Sequence, residues 1–115
     1  MASQIYKILS EALWQASLKQ GYFSGAPVDL ADGYIHFSTI AQLRETARKH
    51  FYGQSGLMLA EIDADRLGDN LKYEPSRGGD LFPHLYGILP LDAVVWVKPL
   101  PVDADGAHQF PEDIA

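Results

Sequence analysis

The chain has no cysteine among its 115 residues, which excludes disulfide staples, thiolate metal sites and cysteine-based catalysis. Basic residues are scarce: nine Lys and Arg stand against fifteen Asp and Glu, for a formal charge of −6. They are also dispersed, so extended nucleic-acid binding is not expected, because clustered cations are what hold a phosphate backbone. A small anionic metabolite or a nucleic-acid end stays compatible, since a helix N-terminus and one or two arginines hold such charge locally. No apolar run reaches membrane-spanning length, and the N-terminus lacks a basic stretch followed by an apolar one. The expected location is cytoplasmic, with no membrane partner. Nucleophile-elbow and P-loop motifs are missing too, and Gly78-Gly79 lacks the spacing of a dinucleotide fingerprint.

What is present is globular: 47% apolar and 21% charged residues, enough for one domain with a real core. Ile5 to Leu9 reads as a first strand, followed by Ser10 as an N-cap, a helix through Trp14 and Leu18, and Gly21 as its stop. Residues 22–30 read as loop. A second helix spans 40–51, with Ile40, Leu43, Ala47 and Phe51 at helical spacing and Gly53 as a stop. Residues 57–62 are a buried-strand candidate, 63–70 a turn, 71–74 a brief strand cut off by Pro75, and 76–80 a loop. Ala93 to Val97 is the strongest β-branched run and is expected as a central strand. Beyond residue 100 the chain turns acidic and poor in large apolar residues, so a loosely packed tail is expected. Strands that do not alternate regularly with two main helices predict α+β.

The most informative stretch is Asp32-Gly33-Tyr34-Ile35-His36-Phe37-Ser38-Thr39. Asp-Gly marks a turn and a short strand follows, in which Tyr34, His36 and Ser38 share one face and Ile35 and Phe37 the other. The second set reads as core. Thr39 is the expected N-cap of the next helix, with Gln42 completing a capping box. His36 and Ser38 thus sit where a strand hands over to a helix N-terminus.

Glu74 can serve as a general base or stabilise a cationic transition state. A solvated strand-end glutamate is the plain alternative. His84 and Tyr86 share a face if residues 84–88 are extended, and buried imidazoles and phenols that merely find backbone partners are equally ordinary. His36, His84 and a carboxylate also match a two-histidine-one-carboxylate metal set in composition, without helical metal-ligand spacing. His50, in a last helical turn, reads as structural, and His108 as idle.

Together, Ile5-Tyr6-Lys7-Ile8, Trp14, the 32–39 block, Gln42 with Thr46-Ala47, Tyr73-Glu74 and Phe82-Pro83-His84-Leu85-Tyr86-Gly87 resemble the domain of unknown function 952 family of small bacterial proteins. The resemblance covers the chain to about residue 100. It implies one ADP-ribosyltransferase-like domain over 1–100, a split β-sheet core with flanking helices, ahead of the 101–115 tail. It further implies an NAD-utilising enzyme with NAD in a cleft near His36 as substrate and no metal. His36 and Ser38 would position the ribose, and Tyr34 or Tyr86 would stack on nicotinamide. Glu74 or His84 would stabilise charge or activate the acceptor. Ile35-His36-Phe37-Ser38 is also similar to the His-x-Ser segment of NAD-dependent RNA 2′-phosphotransferases, in which a phosphate is the acceptor. Glu74 precedes Pro75 and does not sit in a Glu-x-Glu or Gln-x-Glu segment, so a non-catalytic nucleotide or small-metabolite binding module is the competing expectation. The expected partner is a small nucleotide ligand, and the expected state a monomer or weak dimer.

Overall fold

A computed structural model describes residues 4–76, 79–112 and 114. Strand β1 (Gln4–Ser10) leads into α1 (Glu11–Gln20), then β2 (Tyr22–Phe23), α2 (Pro27–Asp32), β3 (Ile35–His36) and α3 (Ile40–His50). Strand β4 (Leu57–Asp63) and a 3-10 turn (Ala64–Asn70) precede β5 (Leu71–Ser76), β6 (Asp80–Leu85) and β7 (Leu89–Pro90). A 3-10 turn (Leu91–Ala93) then leads to β8 (Val94–Leu100). The described residues form mixed α and β structure, with three small antiparallel sheets in the orders β1-β4-β8, β2-β7 and β3-β6-β5. No described helix is long and apolar enough to cross a membrane.

Alternation along β1 and β4 explains the core. Ile5 and Leu9 of β1 join Ala60 and Ile62 of β4 in one apolar cluster, whereas Tyr6, Ile8, Leu57 and Leu59 enter a second on the opposite face with Leu43 and Ala47 of α3. A sheet covered on both faces needs near-continuous apolar strands, which is why 57–62 reads as one unbroken run. Tyr6 and Ser38 exchange backbone hydrogen bonds of 2.8 and 2.9 Å. This bridge ties β1 to the segment after β3 and sets the two larger sheets side by side.

The helix signals at α1 act locally: Ser10 Oγ accepts from the Leu13 N–H at 3.1 Å, and Gly21 closes the helix at φ 93°. At α3 the Thr39 N–H donates to Gln42 Oε1 at 3.0 Å, the reciprocal half of the predicted box.

Several expectations are corrected. Residues 27–32 are helical rather than loop: Pro27 takes the first helical position, where its missing N–H costs nothing, and Gly33 closes the turn at φ 87°. Asp32-Gly33 is therefore a helix end. Helix α3 stops at His50, with Phe51 as its cap, before Gly53. Strand β8 is an edge, and β4 is the centre of its sheet; β-branched content reports side-chain packing and says nothing of neighbour order. Strand β5 runs through Pro75, which its edge position tolerates. Within the expected 76–80 loop, Arg77 and Gly78 lie outside the described residues. The segment after residue 100 folds back: Ile114 is buried in the second cluster and Phe110 packs against it, while His108 donates from Nε2 to the Gln54 carbonyl at 2.9 Å.

Candidate functional site

Three neighbouring strands carry the site. His36 on β3 is paired directly with His84 on the central strand β6, and Glu74 lies on β5, the other neighbour of β6. The predicted alternation holds around His36: Ile35 and Phe37 are buried in the first cluster, while Tyr34, His36 and Ser38 line a cleft of about 480 Å³. Tyr6, Thr46, His50, Phe51, Phe82 and His84 line the same cleft.

Four rings cluster, with Tyr34 at their centre. Tyr34 stacks on His84 with centroids 4.1 Å apart and lies 4.7 Å from His36 and 5.2 Å from Tyr86. The two imidazoles meet edge to face at 5.5 Å. Glu74 Oε1 closes the group, 2.8 Å from His84 Nδ1 and 2.7 Å from the donating Tyr86 hydroxyl. These hydrogen bonds, His84 first and Tyr86 second, hold the Glu74 carboxyl below its ordinary range, and the same bond raises the Tyr86 phenol. Glu74 is accordingly a carboxylate at neutral pH. Neither Glu74 nor Tyr86 is among the cleft's lining residues; Glu74 is bonded to His84, which is.

On its other side the group is anchored by Asp29, which the sequence reading did not single out. Asp29 is the third residue of α2, where its Oδ2 accepts the Ala26 N–H at 2.7 Å. Its Oδ1 accepts from the His36 backbone N–H at 3.1 Å and faces His36 Nδ1 at 2.6 Å. Lys7 Nζ donates to both oxygens at 3.0 Å. Burial would raise this carboxyl, but the His36 bond, the Lys7 charge and the Ala26 N–H outweigh it and hold Asp29 at about 2. Burial conversely pulls the Lys7 ammonium below the ordinary lysine range against the attraction of Asp29. Lys7 carried a readable signal: it shares a strand face with Ile5 and Leu9, and a lysine among core positions needs a buried partner.

Asp32, at the end of α2, places Oδ2 2.9 Å from His36 Nε2. His36 therefore sits between two carboxylates, one at each ring nitrogen. Ser38 is buried and donates its hydroxyl to Thr46 Oγ1 at 3.1 Å, which ties it to α3. His50, read as structural, lines the cleft. The six predicted residues thus divide: Tyr34, His36, His84, Glu74 and Tyr86 form one connected group, and Ser38 stands apart on the α3 side. Among the described residues, no three or more His, Cys, Asp or Glu side chains gather as a metal ion requires.

The chain is similar to solved structures of protein CC0527 from Caulobacter crescentus. One crystal structure is 51% identical with a TM-score of 0.90, over 93% of this chain and 94% of that one. A crystal structure of a double mutant of CC0527 gives 50% and 0.89 over 93% and 94%. The solution NMR structure gives 52% and 0.83 over 92% and 91%. No curated protein matches significantly. The sequence model of the family described as "Protein of unknown function (DUF952)" matches residues 8–97, and the chain belongs to that family.

Proposed function

We propose that the cleft binds NAD as substrate and that the protein is an enzyme of ADP-ribosyltransferase type. The observation that carries this reading is the connected group Tyr34–His36–His84–Glu74–Tyr86 at a cleft of about 480 Å³, a size suited to a small organic ligand. Phe51, Phe82 and Tyr34 offer flat apolar walls to a heteroaromatic ring. The hydroxyls of Ser38, Thr46 and Ser76 offer partners to a ribose, and the imidazoles of His36, His50 and His84 add further polar groups to the wall. Breaking an N-glycosidic bond puts positive charge on the sugar, so orientation and a nearby ionised carboxylate matter more than a strong nucleophile. Glu74, held ionised by its bonds to His84 and Tyr86, sets that charge one hydrogen bond behind His84, a lining residue.

The second reading, a non-catalytic nucleotide or small-metabolite binding module, draws on one observation: Glu74 is not a lining residue. Thermal unfolding with NAD, combined with chromatography of released nicotinamide, separates the two. At about a hundredfold excess over Kd, linkage stabilises by about 2.7 kcal/mol, which raises Tm by on the order of 10 °C in a domain of this size. The shift is expected in wild type and lost in His36→Ala, with nicotinamide released only by an enzyme. A shift without release favours the binding module, and no shift in wild type rejects NAD.

A further inference from the structure

The two histidines of the cluster are not equivalent. His36 faces a carboxylate at each ring nitrogen, Asp29 at 2.6 Å and Asp32 at 2.9 Å. Each ring nitrogen thus has a carboxylate oxygen in its hydrogen-bonding position, and neither is left open to a ligand. His84 faces a single carboxylate, Glu74, at Nδ1. The hydrogen therefore sits on Nδ1 and the lone pair on Nε2. No buried side-chain nitrogen or oxygen among the described residues lacks a partner. Nε2 bonds no described residue, so it is the ring atom open to the cleft that His84 lines. The ring is 3% exposed and stacked under Tyr34, so its direction is fixed as a base requires.

Resting on the NAD reading above, we infer that His84 is the general base of the cleft, that Glu74 and Tyr86 are positioning residues that lock its tautomer, and that the acceptor is a hydroxyl. A hydroxyl, whether of water or an alcohol, must lose its proton as it attacks, whereas an ionised phosphate or carboxylate acceptor has none to lose. A base built into the cleft thus selects the hydroxyl class over the phosphate acceptor that the His-x-Ser similarity suggests. In the step, the acceptor oxygen bonds to the anomeric carbon of the ribose while that carbon's bond to the nicotinamide nitrogen breaks. The hydroxyl proton passes to His84 Nε2. Nicotinamide leaves with the bonding electron pair, which neutralises its ring, and His84 returns the proton to solvent.

The test joins long-range 15N–1H spectra of the imidazoles with nicotinamide release from NAD in water, in wild type, Glu74→Gln and His84→Gln. Wild-type His84 is expected as the Nδ1–H tautomer. Glu74→Gln, whose side-chain amide can also donate, is expected to shift the ring toward Nε2–H. It should lower kcat by about a hundredfold or more with little change in KM, and His84→Gln should lose at least as much. Glu74 is half-buried, so its variant carries the test if His84→Gln does not fold. A wild-type Nε2–H tautomer, or Glu74→Gln with unchanged kcat, overturns the assignment. If NAD gives no melting shift in wild type, the NAD reading fails separately. The spectrum then still decides the base: Nδ1–H upholds it for another hydroxyl-bearing ligand, and Nε2–H rejects it.

Discussion

Lys7 and Asp29 form a buried ion pair, Nζ to carboxylate 3.0 Å, with side chains 7% and 1% exposed. The same carboxylate holds the backbone and ring of His36. Strand β1, helix α2 and strand β3 are thereby joined at one point beside the cleft, which Lys7 lines. Asp29→Ala leaves Lys7 with an uncompensated buried charge, and the loss of a partner from such a pair costs about 3–5 kcal/mol. Urea unfolding of the variant should show that loss. A change below about 1 kcal/mol, the range of exposed pairs, would mean that Lys7 reaches water.

The depressed Asp29 carboxyl sets an acid limit on stability. Its folded value is about 2 against an ordinary 3.8, so the folded state binds fewer protons than the unfolded state between these values. Stability is then fully present above the higher value and is lost as pH falls through the lower one. The contribution is about 2 kcal/mol at neutral pH. Unfolding free energies measured from pH 6 to pH 2 should fall by this amount more in wild type than in Asp29→Asn. Parallel curves for the two proteins would remove Asp29 as the source.

Gly33 ends α2 at φ 87° with open space where a Cβ would lie. Gly33→Ala therefore costs through backbone strain alone, about 1–2 kcal/mol. Calorimetry should record a Tm several degrees lower. An unchanged Tm would show that the chain leaves α2 differently, which would also displace Asp32 from His36.

Tyr86→Phe removes one of the two hydrogen bonds that depress Glu74. The Glu74 carboxyl should titrate higher in the variant, toward but not up to its ordinary value, because the His84 bond remains. Global stability should change little, since the phenol is exposed. Side-chain carboxyl NMR resolves the titration, and a Glu74 curve identical to wild type would mean that the Tyr86 hydroxyl bonds elsewhere.

The parts of the site that were legible in the sequence are those governed by neighbouring residues. Period-two alternation separated Tyr34, His36 and Ser38 from Ile35 and Phe37, and caps at Ser10 and Gly21 marked α1. Helix α2 was harder to see, because six residues bounded by Pro27 and Asp32-Gly33 carry turn chemistry at both ends. Even there, proline at the first helical position with Asp29 in the first turn was a usable signal.

The sequence by itself determined the faces of the strands, the two main helices, and which side chains were available for chemistry, because these depend on rotations of a fraction of a turn between adjacent residues. Only the tertiary structure decided that His36 meets His84 and that Lys7 meets Asp29. The first pair is made by strand register and the second by the packing of helix α2 against strand β1, and no local pattern encodes either. Register set His36 beside His84, while helix α2 brought two carboxylates to His36 and strand β5 brought one to His84, so two chemically identical side chains have different surroundings.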